Sequence, residues 1–350
     1  MQSFIEVDKT FAGQPRELGP LLARIDTGKG REGLFEDQMP ALLNRLAGDA
    51  RIASITASNA IEGVIVEGDR AEQLADGSRR YRNRNEREFA GYRDAADELM
   101  RLETYEPLTV PFVLHLHRLL FAHSGGRGGH LKSDQNLIVS YEDGKRQVVF
   151  EPTAPEQTEF QLSELLVHYE ANKHARGAHP LVLIGGLIID FLAIHPFADG
   201  NGRLARLLTA HELLAQGYRV ARYISIEQHI YESKHAYYAA LYESQRDWHK
   251  GEHDVWPWIT YLAEILASAY DDFEQRAAAA NSQTGSKQEQ VRSHILSNAP
   301  ETFRRRDIER ALPGISDATV RLVLAKLRDE GRVAPEGTGR GARWRRVESN

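Results

Sequence analysis

The chain has 350 residues, 41% of them apolar and none of them cysteine, which allows two or three domains and excludes disulfides, thiol catalysis and cysteine-ligated zinc. The net charge of −6 is uneven: residues 286–350 hold 14 Lys/Arg against 9 Asp/Glu, leaving 30 against 41 for residues 1–285, so a separate basic C-terminal module is expected. The start, Met1 to Lys9, lacks the basic and apolar stretches of a secretory signal, and the longest apolar run, Leu181 to Ile194, is shorter than the ~20 residues of a membrane helix and contains Asp190, so a cytoplasmic location is expected.

Residues 1–36, rich in Gly, Pro and charge, predict extended or loosely packed chain. From Glu36 to Ile61, Met39, Leu42, Leu43, Leu46, Ile52, Ile55 and Ile61 recur at mostly helical spacing. Breaks near Gly48 and Asp49 suggest two helices or one interrupted helix, stopped by Gly63. Residues 64–82 read as a loop. Asn85 to Met100 predicts an amphipathic helix with Phe89, Tyr92, Ala96, Leu99 and Met100 on one side, and Pro107 to Ala122 predicts another. The Gly-rich run Ser124 to His130 ends it. Two β-prone runs between Leu137 and Phe150 flank Asp143-Gly144, a favoured hairpin turn. Pro155 to His174 and Pro180 to Ile194 predict helices, the second apolar all round and therefore central. His174 and His179 flank a loop and read as surface histidines rather than metal ligands.

The chemistry concentrates in His195-Pro-Phe-Ala-Asp-Gly-Asn-Gly-Arg-Leu-Ala-Arg206, a turn between the apolar helix and a second helical run, Leu204 to Gln216. Gly200, Asn201 and Gly202 open that second helix, where unpaired N–H groups and the macrodipole form an anion cradle. Asp199 can hold a magnesium ion shared with phosphate oxygens. Arg203 and Arg206, three residues apart, present both guanidinium groups to one polyphosphate. His195 supplies a base for a hydroxyl nucleophile.

This stretch resembles the signature of the Fic-domain family, His-x-Phe-x-Asp/Glu-Gly-Asn-x-Arg-x-x-Arg, with every fixed position filled. The resemblance implies a protein adenylyltransferase that moves AMP from ATP to a Ser, Thr or Tyr hydroxyl of a target protein. His195 would be the catalytic base and Asp199 the Mg²⁺ ligand. Gly200, Asn201, Gly202, Arg203 and Arg206 would hold the nucleotide. Ser58-x-x-x-Glu62-Gly63 resembles the family's inhibitory motif, in which the glutamate pairs with the second signature arginine, here Arg206, in the space of the γ-phosphate. The 137–150 hairpin stands where the family has its flap, which pairs with target segments in strand fashion. Two departures are visible: Gly129-His-Leu-Lys132 replaces Gly-x-Tyr/Phe-Arg, and Ser233-Lys234 stands where some members have Asn-Arg.

Ile224 to Arg246 predicts a helix whose Tyr231, Tyr237, Tyr238 and Tyr242 read as core, and Val255 to Phe273 another, packed down by Trp256 and Trp258. Residues 275–287 have linker composition. Helices at 288–297, 304–312 and 317–330, followed by a basic hairpin at 332–347, resemble a winged helix-turn-helix. In DNA binding, Thr319 and Arg321 would face the major groove, and Arg340 and Arg343 the phosphates.

The expected fold is thus mainly α: a helical N-terminal region over 1–105 with the inhibitory helix ending near 63, a Fic core with its flap over 106–274, a linker over 275–287 and the winged module over 288–350. A homodimer and a DNA partner stay open, and no membrane partner is expected. Two rival functions also stay open. The same site could transfer another phosphate-containing group or remove AMP from a modified protein, or the chain could be a DNA-binding regulator with a nucleotide-sensing core.

Overall fold

The computed structural model describes residues 2–78, 80–102, 104–125, 128–142, 145–173, 178–283, 287–337 and 343–347. The chain is mainly helical and divides into two compact units, residues 1–36 with 43–273 and residues 37–42 with 274–350. In order, its first elements are α1 (Val7–Thr10), α2 (Leu18–Gln38), α3 (Pro40–Ile61), α4 (Gly68–Ala75), α5 (Arg84–Arg101) and α6 (Val110–Leu120). The hairpin β1 (Ile138–Glu142) and β2 (Lys145–Phe150) follows. Then come α7 (Pro155–Lys173), α8 (Pro180–Ile194), α9 (Asn201–Ala215), α10 (Val220–Tyr223), α11 (Ile226–Glu232), α12 (Lys234–Gln245) and α13 (Trp256–Gln283).

The larger unit is built around α8. Every residue from Leu181 to Ile194 is buried, and α7, α9 and α12 pack around it. Proline in its first turn and the His179 ring, which accepts from the Leu181 N–H at 3.2 Å, start the helix cleanly. Asp190 would be costly in such a core if left alone. It accepts instead from the Ser3 N–H (3.0 Å), the Ser3 hydroxyl (2.8 Å) and the Trp248 indole (2.6 Å), so it ties the chain start to the core.

Residues 1–36 correct the expectation of loose chain, since α2 occupies most of them and Phe4, Leu18 and Ile25 are buried. Helix-interior glycines cost about 1 kcal/mol each, which is why the sequence reads as non-helical. Tertiary contact overrides that cost: a Cβ on Gly28 would lie 2.4 Å from the Tyr270 ring, and Glu32 accepts from the Tyr270 hydroxyl (2.8 Å) and the Val220 N–H (2.7 Å). Helix α3 runs unbroken past Gly48 and Asp49 and stops before Gly63, whose φ is 79°. Residues 68–75, expected as loop, form α4 with Ala71 and Leu74 turned inward. Strands β1 and β2 pair antiparallel with Glu142 opposite Lys145. That register suits a two-residue turn, although Asp143-Gly144 itself lies outside the described residues, as does His174.

Helix α13 continues to Gln283, across most of the segment whose composition suggested a linker. The alanines 277–280 explain the difference, alanine being the strongest helix former. In the smaller unit, α14 (Lys287–Ser293) runs into a π-helical turn at His294–Asn298, followed by β3 (Thr302–Phe303), α15 (Arg305–Ala311), α16 (Asp317–Asp329), β4 (Val333–Glu336) and β5 (Arg343–Arg346). Three helices and a hairpin appear in the predicted order, and β3 adds a third strand, giving the sheet order β3-β5-β4. Val291, Ile295, Phe303, Ile308, Val320, Val323 and Leu327 form its core. Thr319 and Arg321 engage their own helix start, through the Ser316 hydroxyl (2.9 Å) and Asp317 (2.6 Å). Arg343 opens β5, and Arg340 lies outside the described residues. Among the described residues no helix is long and apolar enough to cross a membrane.

Candidate active site

Between α8 and α9 the chain turns through residues 195–200. His195 ends α8 in left-handed backbone, φ 51°, which histidine tolerates better than most side chains. Its N–H donates to the Phe191 carbonyl (2.9 Å), and ring Nδ1 lies 3.2 Å from the Leu192 carbonyl oxygen. A carbonyl can only accept, so Nδ1 carries the proton and Nε2 is left as a base. Burial holds the imidazole down to about 4, and the ring is neutral at physiological pH.

Three side chains brace the turn. Asn201 accepts from the Phe197 N–H (3.0 Å) and donates to the Phe197 carbonyl (2.7 Å), so both ends of its side-chain amide close the loop. His117 on α6 stacks on Phe197 at 3.7 Å. Its Nδ1 accepts from the Gly129 N–H (2.8 Å), which leaves Nε2 to donate to the Asp199 carbonyl (3.0 Å). Lys132 donates to the Ile194 carbonyl (3.1 Å) and to Asn136 (3.0 Å), and burial pushes its ammonium down to about 8.

The start of α9 carries no side chain at residues 200 and 202, and the Gly200 N–H donates to the Asp199 carboxylate (2.6 Å). Gly200 has φ 83°, and a Cβ there would lie 2.9 Å from the Phe121 ring. A Cβ on Gly202 would lie 2.3 Å from Glu62 Oε1, so that carboxylate rests directly on the positive end of the helix. The same oxygen accepts from Arg206 Nη2 at 2.9 Å. Arg206 is 3% exposed and also donates from Nε to the Ser58 hydroxyl (2.8 Å) and from Nη2 to the Ser58 carbonyl (2.9 Å). Arg203 donates from Nη1 to Glu88 (2.9 Å). Among the described residues, Arg206 Nη1 and Arg203 Nε are buried without an acceptor. Each such group costs about 1–3 kcal/mol, and two beside one helix start fit a ligand with several anionic oxygens.

Asp199 is 57% exposed, 3.7 Å from Arg203 and 3.9 Å from Arg84. Among the described residues no cluster of three His, Cys, Asp or Glu side chains could cage a metal. A single open carboxylate instead suits Mg²⁺, which keeps its waters and takes further oxygens from phosphate.

These groups meet in a cleft of about 900 Å³. Glu62, His195, Asp199 and Arg203 line it with Ile138, Val139 and Val148 of the hairpin and with Tyr238 and Tyr242. The expectation that the α12 tyrosines are core needs correction. Tyr237 is buried, but Tyr238 and Tyr242 are exposed, because they share the helix face opposite the core, and Tyr231, at the end of α11, is exposed as well. Glu88 and His117 carry no sequence signal as site residues, and Lys234 is marked only by its departure from the family's Asn-Arg pair. Lys234 donates to the Ile61 carbonyl (2.5 Å), the last residue of α3.

The buried His117 has a stability consequence. Burial lowers its pKa from the unfolded value of 6.5 to about 4, so below pH 6.5 the unfolded chain binds the proton first. Stability is therefore full above 6.5 and falls as the pH drops toward 4, by up to about 3 kcal/mol from this group. Urea midpoints should decline over that window in the parent and less steeply in His117→Phe; parallel declines would assign the effect elsewhere.

Residues 107–213 match the model of the Fic/DOC family. The chain is similar to the protein adenylyltransferase Fic of Nematostella vectensis, 24% identical over 49% of this chain and 35% of that protein. It is also similar to the protein adenylyltransferase and cysteine protease IbpA of Histophilus somni, 33% identical over 35% of this chain and 3% of that protein. The chain thus spans about a third or less of these relatives. Among solved structures, a Fic family protein from Desulfovibrio desulfuricans G20 superposes with a TM-score of 0.62 at 21% identity, covering 96% of this chain and 97% of that one, and shows a shared fold.

Proposed function

Residues 107–213 form a Fic/DOC family domain, and on that premise we propose that the chain is a protein adenylyltransferase restrained by its own Glu62. The observation that carries the reading is the pairing of a neutral His195, its Nε2 free, with an anion cradle whose buried arginine is held by a carboxylate. His195 Nε2 takes the proton from a Ser, Thr or Tyr hydroxyl of the target protein. The oxygen attacks the α-phosphorus of ATP, the bond to the bridging oxygen breaks, and pyrophosphate leaves. The α9 backbone at Gly200, Asn201 and Gly202 holds phosphate oxygens, and Arg203 and Arg206 offset their charge, so catalysis is chiefly positioning and electrostatics. Asp199 would hold Mg²⁺, which when bound neutralises phosphate charge. Hydrophobic Ile138, Val139 and Val148 give the hairpin side of the cleft a strand surface for the target backbone.

Glu62 competes with ATP because its carboxylate lies against Gly202 in the first turn of α9 and holds the guanidinium that the phosphates need. The discriminating experiment uses the Glu62→Gly chain with ATP labelled at either the α or the γ position. Protein is expected to acquire the α label and not the γ label. Transfer of the γ label would make the enzyme a kinase, and loss of AMP from a pre-modified target without net labelling would reverse the direction of the reaction.

A further inference from the structure

A second cavity, of about 260 Å³, lies further N-terminal along the helix that carries Ser58 and leads into Glu62, with Arg51 and Ser54 in its wall on the same helix stripe as Ser58. Its walls come from the middle of α3, from α5 and α9, and from residues 221–227, with Ala50, Ala96, Leu99, Leu207, Ala210 and Ile226 giving an apolar lining. Gly48 also lines it. That glycine is exposed, a Cβ there would meet nothing within 4 Å, and its φ is unexceptional. Neither crowding nor backbone conformation demands glycine, yet it weakens the helix interior by about 1 kcal/mol relative to alanine. A larger side chain would narrow the cavity.

One charged group in this lining is poorly matched. Glu227 is 6% exposed, and among the described residues its carboxylate has a single hydrogen bond, from the Tyr92 hydroxyl at a long 3.3 Å. A buried carboxylate normally gathers several donors. The two arginines in the wall do not supply them: Arg51 forks onto Asp97 (2.5 and 2.7 Å) and the Ala75 carbonyl (2.8 Å), and Arg222 reaches Tyr105 (3.4 Å). Tyr92 is fully buried and lies against Ser58, the residue that holds Arg206. The cavity thus joins the inhibitory contact through Glu227, Tyr92 and Ser58.

We propose that this cavity binds a small aliphatic amine, with its ammonium on Glu227 and its hydrocarbon among the alanines and leucines, and that the amine strengthens the inhibited state. The direction follows from the contacts: an amine that fixes Glu227 also fixes Tyr92, which lies against the Ser58 that holds Arg206, so the amine binds more tightly while that contact is made. The charge-assisted bond to Glu227 selects an amine over an alcohol of the same shape. The regulatory half rests on the adenylyltransferase reading, and the binding half does not.

The test titrates the full chain with cyclohexylammonium, followed by NMR, with cyclohexanol as the uncharged control. Saturable shifts in the millimolar range or tighter are expected, at least tenfold weaker for cyclohexanol, for Glu227→Gln and for Ala50→Leu, whose added side chain enters the cavity. Absence of saturable binding to the parent, or undiminished binding by both variants, overturns the site. With α-labelled ATP, the amine should lower transfer by the parent severalfold and leave Glu62→Gly unaffected, and equal inhibition of both overturns the coupling. If Glu62→Gly labels nothing, the catalytic reading has failed, and the titration still decides the site.

Discussion

Glu62→Gly is expected to incorporate α-labelled AMP about 10- to 100-fold faster than the parent. The size follows from the bond that is lost. Arg206 is almost wholly buried, and its 2.9 Å contact with the Glu62 carboxylate is a hydrogen bond between charged groups, of a kind worth about 1.5–3 kcal/mol. Glu62 is a third exposed, which places the gain toward the lower end. Every 1.4 kcal/mol of competition removed gives about tenfold. Lys234 supplies an internal control. Its ammonium binds the Ile61 carbonyl, at the end of α3 where the helix dipole favours a cation, one residue before Glu62. Lys234→Met should therefore raise the rate severalfold in the parent and add nothing once Glu62 is glycine. Initial rates of label incorporation check both. An unchanged rate in Glu62→Gly removes the inhibitory assignment, and a further rise in the double variant shows that Lys234 acts on something other than the Glu62 seat.

The reach of sequence reasoning here tracks sequence separation. The His195-to-Arg206 segment could be read because its turn, helix start and i,i+3 arginines are all local, and the apolar run that became α8 announces its burial directly. Glu62 could be reached only through the resemblance, since its partner Arg206 is 144 residues away. His117 with Asp199, Glu88 with Arg203 and Lys234 with Ile61 are 82, 115 and 173 residues apart, and neither His117 nor Glu88 nor Lys234 sits in a spacing that distinguishes it from a solvated or core residue. Composition misled in both directions at glycine and alanine. Glycines masked α2, which packing against Tyr270 holds in place, and the alanines that looked like a linker extend α13. Pairing, burial and the closing of the cleft are tertiary facts, and they decide which of the legible residues face one another.

Removing the base should give the largest loss. His195→Ala is expected to lower AMP transfer by about 10²- to 10⁴-fold, the usual worth of a positioned general base. The left-handed backbone at residue 195 complicates that variant, because alanine tolerates φ 51° poorly. His195→Asn separates the effects. Asparagine accepts left-handed backbone and can donate to the Leu192 carbonyl as Nδ1 does, but it has no basic nitrogen. It should fold with the parent's melting midpoint and be as inactive as the alanine variant. The pH profile carries the same argument further. A general base at His195 would act in its neutral form, and burial holds its pKa near 4 rather than 6.5. In the Glu62→Gly chain, kcat/KM should hold level as the pH falls from 8 to about 5 and drop only below that, instead of halving near 6.5. A limb near 6.5 would mean that the ring is hydrated in the working enzyme, and a fully active His195→Asn would take the proton transfer away from this residue altogether.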